Sequence, residues 1–513
     1  MSQLASNSNN EYGLVPKKVT RLEAIVRYLA GTLILLGILF RLHQYLANRS
    51  LWLDEAMLAL NIIHRSLSGL VEQLGYHQGA PFGFLFIEKL SILALGNTEY
   101  VLRLFPLISG IASIFLFYYL AKNILSDLGI LLSLALFVVS NWLIYYASEV
   151  KQYSSDVAIV LLLFTISFPL FQSKRISLKH YIYWGVIGGI SLWFSHPAIF
   201  ILLSITTGLL IQYLTNKAWS QIKWFASGIG IWIAIFLLVY WIALRVLVDD
   251  QILVEFWRNY YMPAPPWSDL SWFRLAGCDF LMSPVGLSGC KLGAVLLFLG
   301  AFSLLFRKTS LGIALLLSFL ITLSASAMHY YPFGNRLILF LVPLAFILIS
   351  EGVDLIRRIT LFRRWVSFGI WMLLAIFLLI WPARQAFSHL TKPRESENIK
   401  PVMAYVQSNR TPGDQICTDS GAEPAYRYYA PFYRLTEEPC VLHMPSSKTH
   451  EAYTQEIGNK TQPGRVWFLF SHKNNRIEVD TESVFLETVG RMGRTIDQYR
   501  SSGASVYLAD IKK

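Results

Sequence analysis

The 513 residues are 54% hydrophobic and only 15% charged, against about 25% charged in an ordinary soluble domain. A soluble globular fold is excluded and a polytopic α-helical membrane protein is expected. The formal net charge of +12 does not point to a nucleic-acid partner, because the basic residues lie in short clusters between apolar runs, where topology signals lie.

Residues 1–24 are polar, and the first apolar run lacks a small-residue cleavage site, so it is expected to stay in the membrane as a signal anchor. Apolar windows of about 20 residues then mark candidate spans. They fall at 25–42, 102–121, 128–146, 155–172, 181–195, 197–214, 224–245, 292–306, 310–328, 336–352 and 365–382, about eleven transmembrane helices in all. The stretch 81–96 is apolar but interrupted by Glu88-Lys89, and reads as a helix in or near the interface.

A cytoplasmic N-terminus puts Lys17, Lys18, Arg21, Lys122, Lys174, Arg175, Lys179, Lys217, Lys223, Arg307, Lys308, Arg357, Arg358, Arg363 and Arg364 inside. The short outside loops keep little more than Lys151 and Arg336, as the positive-inside rule requires. The expected organisation is a cytoplasmic tail 1–24, a membrane domain 25–384 and an extracytoplasmic α/β domain 385–513. The membrane domain carries a first external loop 43–101 and an aromatic external loop 246–291. The glycines at 185, 188 and 189 fall in an apolar helix and read as packing positions.

In the tail, Ile399–Asn409 reads as an amphipathic helix, Gln415–Thr418, Val466–Ser471 and Ser505–Ala509 as strands, and Thr481–Met492 as a helix. All four cysteines fall in outside segments. Their order suggests Cys278–Cys290 and Cys417–Cys440 disulfides, though four cysteines allow three pairings. No close Cys-x-x-Cys or Cys/His pairing points to zinc.

Polar clusters sit where spans end outside. Asp54-Glu55 follows the first span, Glu88-Lys89 lies in the helix after it, and Glu149-Val150-Lys151-Gln152-Tyr153 with Asp156 follows the third span. His329 to Arg336 precedes a late one, and His196-Pro197 is a further candidate. Each has a plain structural reading: a solvated helix cap for Asp54 and Glu55, a snorkelling pair for Glu88 and Lys89, interfacial anchors for Lys151, Arg336 and the aromatic loop. Read as chemistry, a carboxylate at a membrane face can take a proton from an attacking hydroxyl. Lys or Arg can hold a departing phosphate. Transfer of a glycosyl group with inversion needs both.

The chain resembles the GT-C superfamily of integral-membrane glycosyltransferases, and within it the protein O-mannosyltransferase and lipid A aminoarabinose transferase group. The resemblance covers roughly residues 20–385. It rests on Leu53-Asp54-Glu55, Gly79-Ala80-Pro81-Phe82-Gly83-Phe84 with Glu88-Lys89, Arg103-Leu104-Phe105-Pro106, Tyr145 to Tyr153 and Tyr331-Pro332-Phe333-Gly334-Asn335-Arg336. It implies a polyprenyl-phosphate-linked sugar donor and a lipid, glycan or protein acceptor. Asp54, Glu55 and Glu149 are implied as catalytic residues, and Lys89, Arg336 and Lys151 as donor-phosphate contacts. Tyr153, and Trp267 of the aromatic loop, are expected to contact substrate, with that loop closing over the sugar. Glu88 is the implied ligand of a possible divalent metal. The sequence departs from the family in having His77, not a closer histidine, ahead of Pro81, and Lys151 where an arginine is common, which leaves metal and donor open.

The expected activity is therefore transfer of a lipid-linked sugar to a hydroxyl at the outer face of a plasma (inner) membrane. A lipid or polysaccharide flippase is the first alternative. It is disfavoured because the charges sit at span ends and no repeat is visible. A non-catalytic assembly factor of cell-envelope glycan synthesis is the second.

Overall fold

The computed structural model describes residues 21–173, 176–248, 250–359, 364–435, 437–443, 450–471 and 481–512. Lys17, Lys18, Lys174, Arg175 and Arg363, which carry part of the topology reading, lie outside the described residues. Among the described residues, nine helices are long and apolar enough to cross a membrane, the first at Glu23–Leu46 and the last at Trp365–Thr391. The chain is a multi-pass membrane protein. The two further windows form shorter helices, Asp127–Val139 and Leu178–Phe194, so helix length alone does not confirm the expected count of about eleven. The first of these stops where Ser140 caps a separate six-residue helix, Asn141–Tyr146. The last long helix runs on to Thr391, past the expected boundary at 384.

Small residues set the closest helix contacts. A Cβ on Gly300 would stand 1.7 Å from the Leu348 carbonyl oxygen, and one on Gly352 2.0 Å from that of Leu296. The helices Cys290–Arg307 and Val342–Ile359 touch backbone to backbone there, as small residues allow in membrane packing. Gly185 meets Gly228 in the same way, at 2.5 Å from its carbonyl oxygen.

After the first helix, α1 (Arg21–Leu46), the first loop carries α2 (Leu53–His64) and α3 (Phe82–Leu95). The expected interfacial charged pair on α3 is not at a surface: Glu88 and Lys89 are both buried. The reason is cover, since α3 packs on α2 and on the Leu178–Phe194 helix.

The tail folds as a five-stranded sheet, β1 (Gln415–Asp419), β2 (Cys440–Leu442), β3 (Gly464–Ser471), β4 (Gly493–Ser501) and β5 (Ala504–Ile511), in the order β2-β1-β3-β5-β4. β1 runs parallel to β2 and β3; β5 runs antiparallel to β3 and β4. The sheet is not a free appendage. Its helices Lys400–Asn409 and Glu423–Tyr429 share one buried apolar cluster with α2 and α3, through Val402, Met403, Tyr426 and Tyr429 against Leu58, Ile62 and Phe84.

Cys278 and Cys290 form a disulfide that ties the Leu270–Met282 helix to the start of the next span. The expected Cys417–Cys440 bridge is not formed. The two residues stand directly opposite each other on β1 and β2, with both thiols free and in hydrogen-bonding contact.

Candidate active site

A cavity of about 480 Å³ opens at the end of the bundle where the first loop, the 246–291 loop and the segment 329–337 meet. Asp54, Lys151, Tyr153 and Arg336 line it together. Asp54 is the second residue of α2, and its carboxylate accepts a hydrogen bond from the Arg336 guanidinium. Arg336 also donates to the Tyr153 hydroxyl at 3.0 Å. Its guanidinium lies over the rings of Trp52, at 5.3 Å, and Trp257, at 5.6 Å. A guanidinium between two aromatic faces is held in orientation while keeping donors free for an anion. Lys151 donates to the Gln78 side chain, and its burial lowers its pKa. Asp156, His196 and His329 stand further round the wall. One side is apolar, built from Leu244, Leu247, Val248, Ile252, Leu253 and Phe256.

Glu55 is in a different place. Neighbouring helix residues point about 100° apart, so with Asp54 on the cavity Glu55 faces inward, 0% exposed. Its carboxylate accepts from Arg103 Nε at 2.9 Å and Nη2 at 2.8 Å, from the Val150 amide at 2.9 Å, and pairs with Arg49 at 3.6 Å. Burial alone would raise this carboxyl, but the Arg103 and Arg49 charges hold it below its ordinary value. Glu55 is thus the buried anchor of the loop, not a residue of the cavity wall.

Four other expected site residues also lie off the cavity lining. The Lys89 ammonium donates to the Ile63 carbonyl at the end of α2, at 2.8 Å. Both Glu88 carboxyl oxygens are buried without a hydrogen-bond partner, and burial pushes that carboxyl well above its ordinary value. Trp267 is 76% exposed on a short helical turn, Pro266–Ser268. Glu149 is fully buried behind the wall, its oxygens also unpartnered. Its carboxyl is raised to about 7, by burial first and the Glu55 charge second. The expected metal ligand Glu88 has no companions: among the described residues no group of three or more His, Cys, Asp or Glu side chains is placed to hold a metal ion. This donor set does not fit a divalent cation, and no step is routed through one.

At the rim, His77, which the sequence marks as a departure from the family, gains a partner that the sequence does not mark, Asp250. His77 Nδ1 meets Asp250 Oδ2 at 2.9 Å, across 173 residues of chain. Asp250 also caps the short helix Gln251–Phe256. Tyr76 and His77 are both left-handed, with φ of 59° and 50°, and the Tyr76 hydroxyl donates to Glu423 of the tail at 3.2 Å.

No family model and no curated protein matches the sequence. Solved structures do match the fold. ArnT from Cupriavidus metallidurans in the apo state aligns with TM-score 0.54 and 11% identity over 93% of this chain and 98% of that chain. The same protein bound to undecaprenyl phosphate gives 0.52 with the same identity and coverage. The Archaeoglobus fulgidus oligosaccharyltransferase in complex with Zn and sulfate gives 0.52 and 12% identity over 93% of this chain and 72% of that chain. The fold is that of the GT-C membrane proteins, as the resemblance in the sequence implied.

Proposed function

We propose that the protein is a membrane glycosyltransferase that moves a sugar from a polyprenyl-phosphate-linked donor to an acceptor hydroxyl, with inversion, on the extracytoplasmic side of the plasma (inner) membrane. The observation that carries the reading is the pairing of Asp54 and Arg336 on the wall of one cavity, beside an apolar side. The bound lipids of the fold neighbours, undecaprenyl phosphate in ArnT and a dolichol-phosphate in the archaeal oligosaccharyltransferase, support the donor class.

Each group then has a task. The donor's phosphate sits against Arg336 and Lys151, with its lipid leading away along the apolar side. The phosphate competes with Asp54 for Arg336, which leaves the Asp54 carboxylate free to accept a proton. The acceptor hydroxyl gives that proton to Asp54 as its oxygen bonds to the anomeric carbon. The bond from that carbon to the phosphate oxygen breaks on the opposite face, and the polyprenyl phosphate departs with its new charge facing the cations. Tyr153 fixes Arg336 through the hydrogen bond between them.

The test is donor consumption by the purified protein in lipid, offered radiolabelled polyprenyl-phosphate sugars, beside Asp54→Asn. Wild type should consume one donor and the variant should be slower by about 10²-fold or more. A wild-type protein that consumes none of the donors overturns the proposal.

A further inference from the structure

The first turn of a helix leaves its backbone N–H groups without partners inside the helix; at the start of α2 the Trp52 amide donates to the helix's own Glu55 at 3.5 Å, and the Leu53 amide needs a partner from elsewhere. The tail supplies what is missing. The Leu53 amide donates to Glu397 Oε2 at 3.0 Å, and the Leu51 amide donates to the Tyr429 hydroxyl at 2.8 Å. Glu397 lies 344 positions beyond Leu53, between the last long helix and the sheet domain, and is 4% exposed.

The carboxylate is itself fixed from the sheet side. Ser471, the last residue of β3, donates to the same oxygen at 3.1 Å. The next residue is pinned twice: the Asn398 amide donates to the Ser502 carbonyl at 2.7 Å, and its side chain accepts from Ser50 at 2.9 Å. A carboxylate at a helix start is favoured by the helix dipole as well as by the hydrogen bond. The residue after Leu53 is Asp54, so whatever fixes the first turn of α2 fixes the direction of the Asp54 carboxylate. Glu397 is not among the residues that line the cavity; it reaches the cavity wall only through Leu53.

We infer that Glu397 is a positioning residue: through it the sheet domain holds the first turn of α2 and aims Asp54 at Arg336 and the cavity. The inference deepens the proposed transferase reading and rests on it for the role of Asp54. The hold on α2 stands on geometry alone.

The test uses the full chain in lipid, with Glu397→Ala and Glu397→Gln, read by amide hydrogen exchange over residues 53–57 and by steady-state transfer kinetics. Glu397→Ala should speed exchange in that turn by about tenfold, the loss of one charge-assisted hydrogen bond. It should lower kcat by about tenfold or more while the KM for the donor stays within about twofold. Glu397→Gln keeps an accepting oxygen and should restore both readouts to within about threefold of wild type. Wild-type exchange in Glu397→Ala overturns the inference, and so does a Gln variant as impaired as the Ala variant. If Glu397→Ala does not fold, Ser471→Ala takes its place. That variant should speed exchange over 53–57, and an unchanged turn overturns the inference. Faster exchange in a protein whose wild type transfers no sugar would support the hold and reject the transferase reading.

Discussion

The bundle has a cavity at each end, and of the two the one at the first loop presents an acid and a cation to the same space. The cavity away from the first loop is the larger, about 790 Å³, lined where the helices Tyr153–Gln172 and Ala198–Thr215 end and where Arg307 and Lys308 turn into the next span. Its cations are already committed: Arg307 grips both oxygens of Glu351, at 2.6 and 2.8 Å, and Lys308 donates to the Asn123 carbonyl. Glu351 is fully buried and takes Arg358 as well. At the loop end the acid and the cation both stand on the cavity wall, so an arriving anion can displace one from the other. A basic cavity with its counter-charges behind the wall is architecture. A cavity that presents both signs to the same space can move a proton and hold a phosphate.

That contrast can be broken from either side. The largest effect is expected at Arg336. Arg336→Gln removes the charge facing the donor phosphate and should cut kcat/KM for the donor by about 10³-fold, read in the donor-consumption assay. Glu55→Gln should cost about 3 kcal/mol of stability, because Arg103 and Arg49 are left buried without their carboxylate; the fall in thermal midpoint in lipid measures it. Glu149→Gln probes the group behind the wall. A carboxyl raised to about 7 is protonated in the folded chain where the unfolded chain has already lost its proton. Its contribution to stability is full below the ordinary value of 4.5 and is lost as pH rises through about 7. The variant lacks that loss, so its thermal midpoint should gain on wild type from about pH 5 to about pH 8. Arg307→Gln at the other end should leave transfer within about twofold of wild type, since Glu351 keeps Arg358. Trp267→Ala should change transfer least, as the ring is mostly solvent-exposed.

Long apolar windows carry most of the membrane fold in plain sight, because a span must satisfy its backbone internally and cover itself with apolar side chains. They run over a break after Asp127–Val139, where hydropathy continues through Ser140 but the helix does not. In the tail, β3, β5 and the helix Thr481–Met492 fall where the sequence pattern puts them. β2 and β4 do not show in it: β2 has three residues, and β4 is an edge strand with a mostly polar, exposed pattern. The site is harder to read. Adjacent letters at 54 and 55 look equivalent and are separated only by helix rotation. Glu88-Lys89 looks exposed until α2 covers it. His77–Asp250 and Leu53–Glu397 are pairs that only the folded chain brings within reach.

The left-handed rim has a consequence in time. Tyr76 and His77 sit in a backbone region that costs non-glycine residues about 1–3 kcal/mol each, and what holds them comes from Asp250 on one side and Glu423 on the other. A ribosome makes those partners after the rim itself: Asp250 173 positions after His77 and Glu423 347 positions after Tyr76. The rim therefore has both of its holding contacts only once the tail has been made.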